Sequence, residues 1–188
     1  MLQHKSMAFE VKAAGQDGLI EGYGSVFGVK DSYSDIVQKG AFVASIKAHQ
    51  ENKTMPALLW QHEAATPIGV WTEMREDDNG LYLKGKLAMD TVNGIEAHAL
   101  LKMGALKGLS IGFMTKQARY DEKTEIRTLT EVELWETSVC TFAANPKARV
   151  THVKSVDDLQ TPKDAEQILR DSGFSKADAT TFVSRVLR

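Results

Sequence analysis

The chain has 188 residues, 43% of them hydrophobic and 26% charged, and a formal net charge of −2. These values predict one domain, or one domain with a small appendage, that is soluble and buries a substantial core. The balanced charge argues against sequence-independent nucleic-acid binding. The single cysteine excludes an internal disulfide framework and a multi-thiolate zinc site. No apolar run approaches the roughly 18 residues that cross a bilayer.

Most of the first 150 residues alternate apolar and polar side chains over short segments, which is typical of strands. Strands are predicted over residues 7–13, 19–27, 57–60, 68–75, 81–89, 109–114 and 125–142. Gly22 and Gly24 indicate a bulge or tight curvature in the second of these. Residues 68–75 and 81–89 form a predicted hairpin, because the Asn79-Gly80 pair between them tolerates the positive φ values that a tight turn needs.

The last predicted strand places its side chains on two faces. One face is predicted to carry Leu134, Glu136, Ser138, Cys140 and Phe142, and the other Trp135, Thr137, Val139 and Thr141.

Helices are predicted between the strands and at the end of the chain. Residues 41–50 place Phe42, Ile46 and His49 at helical spacing, and residues 93–103 do the same for Ile95, Ala99 and Met103, with Gly104 as the residue that ends the helix. Residues 157–188 read as two short amphipathic helices, opened by Thr161-Pro162 and by a capping box from Ser175 to Asp178. The chain is therefore divided into a mostly β body, residues 1–153, and a helical tail, residues 154–188.

A serine, a histidine and an acid stand at positions where they could act together. Ser110 lies in Gly108-Leu109-Ser110-Ile111-Gly112, a G-x-S-x-G string, but the residues after it alternate like a strand, so the strand–turn–helix elbow of α/β-hydrolases fits poorly. His62 follows the apolar run 57–60, and Glu136 is an acid in an apolar strand, where an unpaired carboxylate is costly.

These residue types are those of covalent acyl transfer, in which histidine takes the serine proton and the acid orients the histidine. Each also has an ordinary structural role, as a strand-end histidine, a turn serine or an edge glutamate, and the residues alone leave both interpretations open. Cys140 reads as a core residue, although with His62 it would make a cysteine protease. The histidines show no metal-ligand spacing and no phosphate-binding string occurs, so we expect neither metal nor cofactor.

Eight short segments, in this order and with compatible spacing, resemble a known family. They are residues 22–27 (Gly-Tyr-Gly-Ser-Val-Phe), 35–42 (Asp-Ile-Val leading to Gly-Ala-Phe), 56–62 (Pro-Ala-Leu-Leu-Trp-Gln-His), 67–69 (Pro-Ile-Gly), 80–81 (Gly-Leu), 106–113 (Leu-Lys-Gly-Leu-Ser-Ile-Gly-Phe), 134–138 (Leu-Trp-Glu-Thr-Ser) and 144–148 (Ala-Asn-Pro-Lys-Ala). Over residues 8–150 the chain resembles the tailed-phage prohead (capsid maturation) proteases, whose fold is related to that of the herpesvirus assemblin proteases.

The resemblance implies a role for each candidate residue. Ser110 would be the nucleophile, His62 the general base and Glu136 the third member, where the herpesvirus relatives use a second histidine. Glu131, Glu133 and His98 remain alternatives for that third position. Backbone N–H groups near Ala144 and Asn145 would form the oxyanion hole. One departure is Glu63 after His62, where the family pattern leads us to expect aspartate.

The resemblance also implies a fold and a function. The fold would be mainly β with helices (α+β), a closed antiparallel β-barrel surrounded by helices, with the C-terminal helical hairpin added. The enzyme would be a serine endopeptidase that cleaves scaffold, or the scaffold-like extension of the major capsid protein, and itself. It would act as a weak homodimer or a concentration-dependent oligomer inside the procapsid in the host bacterial cytoplasm, without nucleic acid or membrane. A catalytically idle assembly protein on the same fold is the alternative, against which the presence of both His62 and Ser110 argues.

Overall fold

The computed structural model describes residues 3–7, 11–14, 18–142, 153–154, 161–171 and 174–186, and these form a mixed α+β structure made mostly of strands. The described strands are β1 Gln3–Met7, β2 Val11–Ala14, β3 Leu19–Val26, β4 Asp35–Val37, β5 Ala57–Trp60, β6 Glu63–Glu76, β7 Gly80–Leu87, β8 Gly108–Asp121, β9 Ile126–Cys140 and β10 Val153–Lys154. The described helices are α1 Val43–Asn52, α2 Val92–Lys102, α3 Pro162–Asp171 and α4 Lys176–Val186. None of them is long and apolar enough to cross a membrane.

Strand β9 is an interior strand of the sheet and pairs on both of its edges. On one edge it runs antiparallel to β8 over nearly its whole length. On the other edge it runs parallel to β4 near its start and parallel to β5 near its end. The full order is β1-β8-β9-β5-β6-β7-β3-β2-β10, with β4 beside β9. Residues near the end of β9 therefore have neighbours from β8 and from β5 at once.

The sheet curls into a half-barrel around one hydrophobic core. Fully buried side chains that fill it include Phe42, Leu58, Ile68, Leu83, Leu109, Ile111 and Phe113. Strand β3 contacts β8 across the curl although no ladder joins them. The pairings among the described strands run from β1 to β10 without returning to β1, so the closed barrel is not shown.

Helices α1 and α2 lie against this sheet, α1 beside β9 and β6 and α2 beside β6, β7 and β2. The buried face of α2 differs from the predicted one: Gly94 and Leu101 are buried, whereas Ile95 is half exposed. A β-carbon at Gly94 would collide with the backbone of Ala88, so the helix can lie this close only on its glycine side. Of the strand predicted over residues 7–13, Met7 ends β1 and Val11 begins β2, and the residues between them lie outside the described ones.

The predicted hairpin is confirmed as β6 and β7, but its turn is built differently. Neither Asn79 nor Gly80 has a positive φ. Instead, the Asp77 carboxylate accepts hydrogen bonds from the Asn79 and Gly80 N–H groups, at 2.8 and 3.1 Å, and from the Tyr23 hydroxyl at 2.7 Å. Partial burial alone would raise the pKa of Asp77, but these hydrogen bonds outweigh it and hold that pKa below its usual range.

Glycine is needed at position 80 for a different reason from the predicted one. A β-carbon there would collide with the Ser25 carbonyl on β3. The predicted bulge in β3 is confirmed, since its register with β7 shifts at Gly24.

The tail helices α3 and α4 contact each other as a helical hairpin. The predicted capping box is confirmed, because the Ser175 Oγ accepts a hydrogen bond from the Asp178 N–H at 3.1 Å. Ala179 and Val183 are buried, while Phe174 and Phe182 are each about half exposed, at 48% and 50%.

Candidate active site

Ser110 lies in β8 on the face of the sheet that points away from the core. Its neighbours Leu109 and Ile111 belong to the core, and side chains alternate along a strand, so Ser110 and Gly112 share the opposite face. In the β8–β9 ladder Ser110 stands directly opposite Ser138, and Gly112 stands opposite Glu136. Directly paired residues of antiparallel strands share a face. Ser110, Ser138 and Glu136 are therefore brought together.

A β-bulge at Trp135 produces this arrangement. The ladder passes from Gly112–Glu136 to Phe113–Leu134, which leaves Trp135 as an extra, unpaired residue of β9. Leu134 is consequently a core residue while Glu136 lies on the outer face. The predicted common face for Leu134 and Glu136 is thus wrong, because a strict period of two cannot cross a bulge.

Helix α1 holds the bulge in place through two side chains. The Ser45 hydroxyl accepts a hydrogen bond from the Leu134 N–H at 2.9 Å, and His49 Nε2 donates to the Leu134 carbonyl at 3.1 Å. His49 Nδ1 lies 2.9 Å from the Thr54 hydroxyl, which completes its hydrogen bonding. A buried amide that loses its ladder partner needs such a substitute. His49, which carries no catalytic prediction, therefore has a structural role next to the site.

His62 sits at the tip of a two-residue loop between β5 and β6. Trp60 pairs with Glu63, and the two loop residues Gln61 and His62 have φ values of 48° and 66°. Positive φ at both central positions is the signature of a type I′ hairpin turn, which normally uses asparagine and glycine. For residues with a side chain it costs on the order of 1–3 kcal/mol each and persists only where surrounding contacts enforce it.

Those contacts come from the end of β9. The Gln61 N–H donates to the Val139 carbonyl at 2.9 Å, and the Gln61 side-chain amide donates to the Thr141 hydroxyl at 2.7 Å. The His62 N–H donates to the Ser138 hydroxyl at 3.0 Å. The strained loop is thus tied to the strand that carries Glu136.

The His62 ring and the Glu136 carboxylate form a direct hydrogen bond. His62 Nδ1 donates to Glu136 Oε1 at 2.7 Å, and the Ser138 hydroxyl donates to Glu136 Oε2 at 2.6 Å. A carboxylate only accepts, so Nδ1 carries the proton and the lone pair of the neutral ring lies on Nε2. Glu136 is buried, whereas the His62 side chain is 21% exposed. This arrangement fixes the tautomer and orientation that a general base requires.

Gly112 makes room for the acid. A β-carbon at position 112 would lie 2.8 Å from Glu136 Cδ and closer still to Oε1, the oxygen that meets His62. The second glycine of the G-x-S-x-G string therefore serves the carboxylate that lies over it, and its role differs from that of a nucleophile elbow.

The alternative third members lie elsewhere. The Glu133 carboxylate pairs with Lys116 at 2.5 Å, and Glu131 lines a cavity of about 480 Å³ between α1 and β9. His98 is on α2, which packs against β2, β6 and β7. Cys140 is buried, and its thiol donates to the Phe142 carbonyl at 3.6 Å.

The predicted oxyanion-hole residues Ala144 and Asn145 lie outside the described residues. Within the described part of the chain, no three histidine, cysteine, aspartate or glutamate side chains are grouped as metal ligands.

Sequence reasoning did not single out Ser138 or Gln61 as site residues. Ser138 had a detectable signal, since it follows Glu136 by two residues and was placed on the same face. Gln61 had none, because neither its type nor its neighbours predict a type I′ turn.

Known proteins are similar to this chain over much of its length. The family model described as caudovirus prohead serine protease matches residues 6–162. The prohead protease of Enterobacteria phage HK97 is 36% identical over 174 residues, covering 91% of this chain and 76% of that protein. The prohead protease of Escherichia phage T5 is 29% identical over 128 residues, covering 68% and 60%. The capsid polyprotein of Pseudomonas phage PAJU2 is 33% identical over 105 residues, covering 53% of this chain and 16% of the polyprotein.

A solved structure shares the fold. The bacteriophage T4 capsid assembly protease superposes with a TM-score of 0.58 at 13% identity, over 74% of this chain and 98% of that one. Together, the match to the family model over most of the chain and the homology to the HK97 enzyme establish that this chain belongs to the caudovirus prohead serine proteases, the capsid maturation enzymes of tailed phages.

Proposed function

We propose that Ser110, His62 and Glu136 are the catalytic triad of this capsid maturation protease. The observation that carries the proposal is the 2.7 Å hydrogen bond from His62 Nδ1 to Glu136, on the sheet face that also carries Ser110. It supports a base whose Nε2 lone pair can take the serine proton. The ion pair of Glu133 with Lys116 argues against the nearest rival acid.

The chemistry follows from these roles. His62 Nε2 accepts the Ser110 proton as Oγ attacks the scissile peptide carbonyl, and the tetrahedral intermediate collapses when His62 returns that proton to the leaving amine. Water, activated by the same base, then hydrolyses the acyl-enzyme. The oxyanion needs preorganised N–H donors, each worth about 3–4 kcal/mol. We assign them to the backbone of Ala144 and Asn145, before Pro146, which has no N–H to donate.

The proposed substrates are the scaffold, or the scaffold-like extension of the major capsid protein, and the protease chain itself, inside the procapsid in the host cytoplasm. The names of the relatives, prohead protease and capsid polyprotein, support a substrate of the capsid.

Co-expression with the capsid protein of the same phage tests the proposal. Ser110→Ala and His62→Ala should each abolish processing, seen as a lost gel shift, while the folded chain is retained by circular dichroism. Triad members act as a unit, so the double variant should be no worse than either single one. Glu136→Gln should reduce processing less than the two alanine variants do. Glu133→Gln is its matched control and should leave processing unchanged. Processing near the wild-type rate by either alanine variant would mean that another nucleophile or another protease makes the cut, and no processing by the wild-type chain would indicate an idle assembly protein.

We further propose that activity depends on self-association, as a weak homodimer. Ser110 is fully buried, so a substrate carbonyl reaches it only when the groups covering it move. If binding of a second copy of the chain moves those groups, activity is confined by mass action to the crowded procapsid. Specific activity should rise with enzyme concentration together with the dimer fraction in light scattering. Constant specific activity across a wide dilution series of a monomer would contradict this.

We also propose a role for the helical tail, residues 154–188. It docks onto scaffold or capsid protein and is trimmed later by the protease. The half-exposed Phe174 and Phe182 support it, because they leave apolar surface for a partner. Deleting residues 157–188 should preserve peptide cleavage by the purified enzyme and reduce incorporation into procapsids. Unfolding of the truncated chain would identify the tail as a cap on the body, and normal packaging would refute docking.

Closure of the half-barrel is also proposed. Support comes from β1, which contacts β3 although no ladder joins them. Slow amide exchange on the β1 edge that faces β3 would support closure, and rapid exchange there would contradict it.

A further inference from the structure

We infer that Ser138 is a positioning residue of the triad, whose hydroxyl fixes the acid and the base of the active site relative to each other. The inference rests on the proposed roles of His62 and Glu136. Its basis is the placement of one buried hydroxyl between the second oxygen of Glu136 and the backbone amide of His62.

The chemistry of a hydroxyl suits this double contact. It has one proton to donate and lone pairs to accept with. Ser138 Oγ donates to Glu136 Oε2 at 2.6 Å and accepts from the His62 N–H at 3.0 Å. Ser138 has no solvent-accessible surface, so water does not substitute for either bond. Alanine would leave a carboxylate oxygen and an amide without these partners.

Orientation of the acid depends on that contact. Glu136 has several rotatable bonds, and its Oε1 must remain 2.7 Å from His62 Nδ1. The hydrogen bond at Oε2 fixes the plane of the carboxylate, as outer partners do for functional side chains elsewhere.

Orientation of the base depends on the same hydroxyl from the other side. His62 has a positive φ of 66°, in a loop that is kept in this conformation by its contacts with β9. The hydrogen bond to Ser138 is made by the His62 backbone itself, so it acts directly on the residue that carries the ring.

Kinetics on a peptide that spans a processing site mapped by mass spectrometry test the inference. Ser138→Ala should lower kcat by about 10- to 100-fold with KM within about twofold, because the substrate contacts are unchanged while the geometry of the base is relaxed. Ser138→Thr, which keeps the hydroxyl, should restore most of kcat. Ser25→Ala, at another fully buried serine on β3, is the matched control and should leave kcat unchanged.

A spectroscopic readout separates positioning from stability. The downfield proton resonance of the His62–Glu136 hydrogen bond should broaden or disappear in Ser138→Ala and return in Ser138→Thr. Should the alanine variant fail to fold, Ser138→Cys provides the test, since a thiol is a weak donor of similar shape and kcat should still fall. Wild-type kcat in a folded Ser138→Ala or Ser138→Cys variant would overturn the inference. Loss of activity in Ser110→Ala in the same assay would show that the proposed nucleophile stands whatever the result at Ser138.

Discussion

The substitution Gly112→Ala should inactivate the enzyme through a single methyl group. A β-carbon at position 112 would stand 2.8 Å from the carboxyl carbon of Glu136, whereas ordinary van der Waals contact begins at 3.4 Å. The carboxyl carbon must therefore retreat by at least the difference, 0.6 Å. The oxygen that meets His62 lies nearer to the methyl group than that carbon does, so the 2.7 Å hydrogen bond cannot survive at its present length.

The size of the effect follows from what that hydrogen bond does. Misplacement of a reacting group by about 1 Å costs on the order of 10²-fold in rate, and loss of a triad acid's function costs about 10⁴-fold. We expect kcat/KM to fall between these limits, which corresponds to about 3–5 kcal/mol of transition-state stabilisation.

A double-mutant cycle on the mapped peptide substrate identifies the cause. In a Glu136→Ala background the carboxylate is gone, so adding Gly112→Ala should cost little more. Gly24→Ala is a matched control, because its β-carbon would press on the core residue Leu83 at 2.8 Å. It should lower stability without changing the kcat of the folded fraction. A folded Gly112→Ala enzyme with wild-type kcat/KM, or additive losses in the cycle, would refute the reasoning.

Three further predictions concern the scaffold around the site. The folded-state pKa of Asp77 lies below its unfolded value, so the contribution of this carboxylate to stability is complete above about pH 4 and is lost as pH falls through the folded pKa. Asp77→Asn should therefore flatten the acidic part of the pH dependence of the free energy of unfolding, measured with urea. Arg127→Met should lower the free energy of unfolding by about 3 kcal/mol, because it removes the guanidinium that pairs with the buried carboxylate of Asp35, whereas Lys39→Met, which removes an exposed ion pair, should lower it far less. Ser45→Ala should cost about 1–3 kcal/mol in chemical denaturation and lower kcat, because the amide at the bulge loses its partner, and an unchanged kcat would show that the bulge holds without it.

Sequence patterns predicted those helices and strands whose local sequence features agree with the contacts that the elements make in the fold. The β6–β7 hairpin, the strand before His62 and both tail helices belong to this group, because alternation, capping residues and turn residues are local properties. The family resemblance named three residues that the fold brings to one face of the sheet.

Other features escaped prediction because they depend on contacts far along the chain. The bulge at Trp135 is defined only against β8, and the conformation of Gln61 is imposed by β9. No local propensity announces either of them. The α2 face was mispredicted for a related reason: hydrophobicity suggested Ile95, whereas the close approach of the helix to the backbone of Ala88 requires Gly94.

The two-residue loop that carries His62 also has a consequence for the order of events during synthesis. Its hydrogen bonds reach residues 74 and 76 positions later in the chain, near the end of β9. Until that strand has left the ribosome and docked, the loop lacks the contacts that keep His62 in its left-handed conformation. A nascent or prematurely ended chain thus has a serine and a histidine but no assembled base. On the proposed assignment of the triad, proteolysis therefore requires a chain whose body is complete.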